Sequence, residues 1–130
     1  MIAPEERGLL AKLGLFMCRE GQLPEAEAVF GGLRATAPAK DGPVAGLALC
    51  RIIRGECDEA VGMIDERLAS GAALEGPLTL YKLVALGMGG RLSEARALRA
   101  RMESGGMARS LATADALLDE LAILKAAAGR

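Results

Sequence analysis

Between Ser110 and Ala127 no helix breaker interrupts the chain, and Leu111, Leu117, Leu118, Leu121 and Leu124 recur at helical spacing. They form one apolar face, with Thr113, Asp115, Asp119 and Glu120 mostly off it, so the pattern predicts a helix over 110–127. Upstream, the apolar positions are broken at near-constant intervals. Gly21-Gln22-Leu23-Pro24-Glu25-Ala26, Gly55-Glu56-Cys57-Asp58-Glu59-Ala60 and Gly90-Arg91-Leu92-Ser93-Glu94-Ala95 each read Gly-x-x-x-Glu-Ala, separated by 34 and then 35 residues. A second marker, Gly42-Pro43-Val44, returns 34 residues later as Gly76-Pro77-Leu78. The two intervals together place the extra residue in the third turn, at Gly89 or Gly90.

Each repeat parses as helix, turn, helix. The chain breaks at Gly21, Gly55 and Gly89-Gly90, because glycine accepts the left-handed conformation that ends a helix. Pro24 falls in a first helical turn, where the missing N–H costs nothing. Asp58 and Ser93 are the expected caps of their helices, since their side-chain oxygens can accept orphan backbone N–H bonds. An alanine near the start of each second helix lets two helices cross closely. The expected units span roughly 7–40, 41–74 and 75–106 of a single domain covering 1–130, and the helix over 110–127 covers the open end of the stack.

These residues resemble the tetratricopeptide repeat, whose pattern sets an aromatic, Leu-Gly and Tyr on the first helix and Ala-x-x-x-Phe then Pro on the second. The first unit reads Leu10, Leu13-Gly14, Met17, Ala26-x-x-x-Phe30 and Pro38. The second keeps Val44, Leu47-Ala48 and Ala60-x-x-x-Ile64, but carries Arg51 where Tyr is usual. The third keeps Leu78, Tyr81 and Ala95, with Arg99 at the Phe position. The resemblance implies an all-α chain, three hairpins stacked as a short right-handed solenoid with a C-terminal capping helix. It also implies that first helices line a concave groove. Aligned on their Gly-Pro starts, those helices carry two ladders at 34-residue spacing: Leu15, Leu49 and Leu83, and Cys18, Ile52 and Leu86. Ala11, Ala45 and Thr79 form a row of small residues beside them, and Ile53 joins the wall. The partner-binding set implied is Leu15, Cys18, Leu49, Ile52, Ile53, Leu83 and Leu86. Two readings stand side by side: these side chains hold a partner's helix, or they pack against neighbouring helices of the same chain. A third arrangement folds the C-terminal helix into the groove as a plug.

Composition narrows the function. Of 130 residues, 52% are hydrophobic yet only 2% aromatic, so the apolar mass is aliphatic and suits helix–helix packing. The net charge of -1 argues against a phosphate backbone or an anionic membrane as partner. Arg91, Arg96, Arg99, Arg101 and Arg109 are the basic concentration, read as a solvated outer face rather than a contact for an acidic segment. Cys18, Cys50 and Cys57 form no Cys-x-x-Cys pair and the chain has no histidine, so neither a metal site nor a disulfide framework is expected. Without a histidine base, a nucleophile elbow or a phosphate loop, no enzyme is expected and no cofactor is called for. The first residues lack the basic head and apolar stretch of a signal peptide, and no apolar run is long enough for a membrane span, which points to the cytoplasm.

In length, repeat count and groove character the chain resembles bacterial type III secretion chaperones. The resemblance implies a module that keeps an aggregation-prone helix of a needle or translocator subunit covered before export. The alternatives are a structural adaptor within a larger assembly and a homodimer or larger oligomer that buries its own groove.

Overall fold

The computed structural model describes residues 4–37, 40–70 and 77–128. The expected closing Pro38, Gly76 of the second Gly-Pro start, and the unit boundary near 74–75 lie outside the described residues. The helices are α1 (Pro4–Arg19), α2 (Leu23–Thr36), α3 (Asp41–Ile53), α4 (Cys57–Ala69), α5 (Pro77–Met88), α6 (Leu92–Ser104) and α7 (Ala108–Ala128). Three tetratricopeptide-like hairpins, α1–α2, α3–α4 and α5–α6, stack as a short right-handed solenoid, and α7 closes its C-terminal end. No strand occurs among the described residues.

One turn is used four times. Gly21, Gly55, Gly90 and Gly106 have φ of 78°, 82°, 82° and 77°, values that only a residue without Cβ adopts freely. The next N–H reaches five residues back: Gln22 donates to the Met17 carbonyl at 2.8 Å, Glu56 to Arg51 at 2.8 Å, Arg91 to Leu86 at 2.8 Å and Met107 to Met102 at 3.0 Å. This is the Schellman closure. Because the ring is the same in each case, the third turn is no longer than the first two. The extra residue expected there is absorbed upstream, and the register of α5 follows Gly90 rather than the Gly-Pro start. A helix is one continuous screw, so every residue of α5 moves by one position. Leu49 corresponds to Val84, not Leu83; Ile52 corresponds to Gly87, not Leu86; Ala45 corresponds to Leu80, not Thr79. Burial follows this register toward the end of α5, where Ala48 pairs with Leu83 and Cys50 with Ala85, although Ala45 with Thr79 and Ile52 with Leu86, the pairs at 34, are also both buried.

The caps differ from expectation. α4 and α6 begin from Glu56 and Arg91, with no side-chain cap bond, while Asp58 and Ser93 lie one residue inside their helices. The hairpin closure already positions the chain there: the Glu56 and Arg91 carbonyls accept the first helical bonds, from Ala60 at 3.2 Å and Ala95 at 3.1 Å. Asp58 still favours the N-terminal end of the helix dipole.

The expected alanines do pack at the crossings: Ala26, Ala60 and Ala95 are fully buried. Phe30 fills the seam above Ala26. A Cβ on Gly14 would lie 2.7 Å from its ring and one on Gly46 2.4 Å, so both glycines exist to admit the aromatic between α1 and α3. Ile64 takes the same place on α4 and is fully buried. On α6 the place falls to Arg99, which reaches Asp115 of α7 at 2.8 Å.

The first helices touch in series, α1 to α3, α3 to α5 and α5 to α7, while among the described residues the backbones of α2 and α4, and of α4 and α6, do not approach closely. First helices therefore form the inner side of the curve and second helices fan out behind. Among the described residues α7 touches α5 and α6 and none of α1 to α4. It occupies the place of a fourth first helix, so it caps the stack and does not plug the groove. Ala114 and Leu121 of α7 are buried, as is Met107 in the turn that leads into it. Among the described residues, no helix is long and apolar enough to cross a membrane.

Candidate functional site

The inner wall is built from residues four apart on each first helix, a spacing that keeps them on one strip. α1 supplies Ala11, Leu15 and Arg19; α3 supplies Ala45, Leu49 and Ile53; α5 supplies Leu80, Val84 and Met88. Leu15, Ile53 and Met88 are 38%, 48% and 55% exposed, and Leu49, Leu80 and Val84 are half-buried. The strip continues onto α7, where Leu80, Tyr81, Val84, Thr113 and Leu117 enclose an apolar hollow of about 280 Å³. A hollow of about 360 Å³ near the start of α1 and α3 is more polar, lined by Arg7, Lys40 and Asp41 together with Ala11 and Leu33.

Of the seven residues expected to hold a partner, Leu15, Leu49 and Ile53 lie on this open strip. The other four do not, and the expectation is corrected for them: Cys18 and Ile52 are 4% exposed, Leu83 0% and Leu86 2%. Cys18 and Ile52 stand three residues beyond Leu15 and Leu49, a rotation that turns them into the seam between first helices. Leu83 and Leu86 are interior because α5 packs against α3, α4, α6 and α7, and Leu83 also because the register shift sets it opposite buried Ala48. The same shift hid the true wall residues Leu80, Val84 and Met88. The signal that reveals them is the 35-residue Glu-Ala interval, read as a change in helix register instead of a longer turn.

Ion pairs stitch successive layers on the outer side. Arg54 meets Glu27 at 2.6 Å, Lys82 meets Asp65 at 2.7 Å, Arg91 meets Asp58 at 3.1 Å, and Arg99 meets Asp115 at 2.8 Å. Arg91 and Arg99 of the basic cluster are thus engaged within the molecule, Arg91 also with Glu94 and Arg99 also with Glu103. Their guanidinium groups hold the Glu94 and Asp115 carboxyls below the usual carboxylate range. Arg51, standing where Tyr is usual, turns back to Glu56 at 3.2 Å. Behind the strip, the Cys18 and Cys50 sulfurs approach to 3.3 Å. Burial, followed by this hydrogen bond, pushes the Cys50 thiol up to about 12.

Curved inner strip, fanned outer helices and terminal cap define a short helical-repeat solenoid with an apolar concave face. The same architecture is seen in a solved structure, the type III secretion translocator chaperone SycD of Yersinia enterocolitica, in an alternative dimer form. The two superpose with a TM-score of 0.68 over 95% of this chain and 96% of that one, at 20% sequence identity. At that identity the likeness is one of fold. No protein-family model and no curated protein sequence matches the chain.

Proposed function

We propose that this protein is a cytoplasmic chaperone that shelters an apolar helix or extended segment of a secretion-system subunit against its inner wall. The observation that carries the reading is the strip itself: Leu15, Leu49, Ile53, Leu80, Val84 and Met88 stay wholly or partly open on the concave side of a capped stack. Buried side chains of this kind contribute about 1.5–3 kcal/mol each, so three or four anchors suffice for firm binding. An apolar trough recognises the apolar face of a partner helix and leaves its polar face in water. The description of the structural neighbour as a translocator chaperone supports the same class of partner.

The test is co-expression with a hydrophobic translocator-type export subunit. The wild type is expected to move that subunit from pellet to supernatant in a small complex. Leu49→Glu is expected to return it to the pellet while helicity and melting midpoint stay close to wild type. A subunit that is soluble alone, or one that Leu49→Glu still keeps soluble, would favour the adaptor role instead.

A second observation favours self-association alongside this role. Among the described residues α1 touches α2 and α3 only, and Leu9, Leu13 and Phe16 stand 69%, 42% and 50% exposed on its outward face. Unlike the C-terminal end, this end of the stack has no helix over it among the described residues. A second copy presenting the same stripe would cover it.

A further inference from the structure

We propose that Cys18 and Cys50 are a redox clamp, closing to a reversible disulfide that ties α1 to α3 when the protein meets a peroxide. The sulfurs already lie 3.3 Å apart across the seam between two helices. A disulfide requires about 2.05 Å, so side-chain adjustments totalling little more than about 1 Å bring them to bonding distance. The residues are 32 apart in sequence, and the path between them runs through the first turn, all of α2 and into α3. The bond would therefore join covalently two elements that noncovalent contacts now hold together. It would also sit directly behind Leu15 and Leu49 and set the spacing of the first two inner-wall helices.

The chemistry balances with peroxide as oxidant. One thiolate attacks the O–O bond, giving a sulfenic acid and a first water after proton transfer. The second thiol then displaces the sulfenic hydroxyl, forming the S–S bond and releasing a second water. Both sulfurs are oxidised, both peroxide oxygens are reduced, and a thiol reductant restores the pair by exchange. At rest the pair is closed to solvent, with both residues buried, and the Cys50 thiol stays protonated. The oxidant would enter by local opening of α1, the terminal helix of the stack, which among the described residues touches only α2 and α3. Reclosure then brings the two sulfurs together. Cys57, buried on α4, is the internal control.

The full chain, reduced and then treated with hydrogen peroxide, is measured by intact mass, a non-reducing peptide map and thermal melting. The expected result is loss of two hydrogen atoms, a crosslinked peptide pair containing Cys18 and Cys50, and an upward shift in melting midpoint on the order of 5–15 °C that a thiol reductant reverses. Cys57→Ala is expected to behave identically, and Cys18→Ala and Cys50→Ala to lose the crosslink. Addition of oxygen without loss of hydrogen, a crosslink through Cys57, or a lowered melting midpoint in the crosslinked protein would overturn the proposal.

Discussion

At the scale of single residues, the most constrained point is the Phe30 ring, held between two positions that carry no side chain. A Cβ on Gly46 would lie 2.4 Å from the ring, which no small adjustment relieves. Gly46→Val is therefore expected to destabilise the protein by about 1–3 kcal/mol through overpacking, read as a lower denaturant midpoint with unchanged slope. Gly31→Ala on the neighbouring helix, where an added Cβ meets nothing, is the matched control. The Cys50 thiol makes a different kind of prediction. Burial pushes it up to about 12 in the folded state, above the 9.0 of a free thiol. The folded state then holds its proton where the unfolded state has lost it, so the contribution is complete below pH 9 and is lost as pH rises toward 12. Melting midpoints followed from neutral to alkaline pH are expected to fall more steeply in wild type than in Cys50→Ala.

At the scale of elements, α7 does the work of a missing repeat. Its residues Ala114 and Leu121 are buried against the stack, and Leu121 fills the space that a Cβ at Gly87 would need. Leu121→Ala is expected to cost about 2–5 kcal/mol, checked by chemical denaturation. A loss near zero would mean that α7 docks loosely and that the third hairpin stands without it. The hydrophobic spacing of α7 was legible in advance because a long uninterrupted helix needs only its own period to be recognised. The α5 register was not. Its Gly-Pro start and its Gly-x-x-x-Glu-Ala end disagree by one residue, and a linear reading has no means of ranking them. The Schellman closure at Gly90 ranks them physically, because its hydrogen bonds rigidly fix the C-terminal end of α5.

At the scale of the molecule, two apolar surfaces lie on different faces. The inner strip suits a partner segment, and the outward stripe of α1 suits a second copy. Their separation gives a clean prediction. Leu9→Glu with Phe16→Glu is expected to shift the protein toward a monomer by sedimentation velocity while leaving capture of the export subunit intact. Leu49→Glu is expected to do the reverse. If one variant removes both properties, the two surfaces act as one and the groove is filled by self-association.

The chain on its own determined the repeat, the hairpins and the cap, because these follow from local causes: glycine at left-handed turns, alanine at close crossings and leucines at helical period. Leu15, Leu49 and Ile53 could be placed on the inner wall for the same reason. Only the tertiary structure decided which neighbours became lining and which became core. Cys18 and Ile52 turn into the seam, while Leu83 and Leu86 are covered by the four helices that pack against α5 away from its open strip. Exposure depends on what packs alongside, and that neighbour comes from another repeat, so a period within one helix does not encode it.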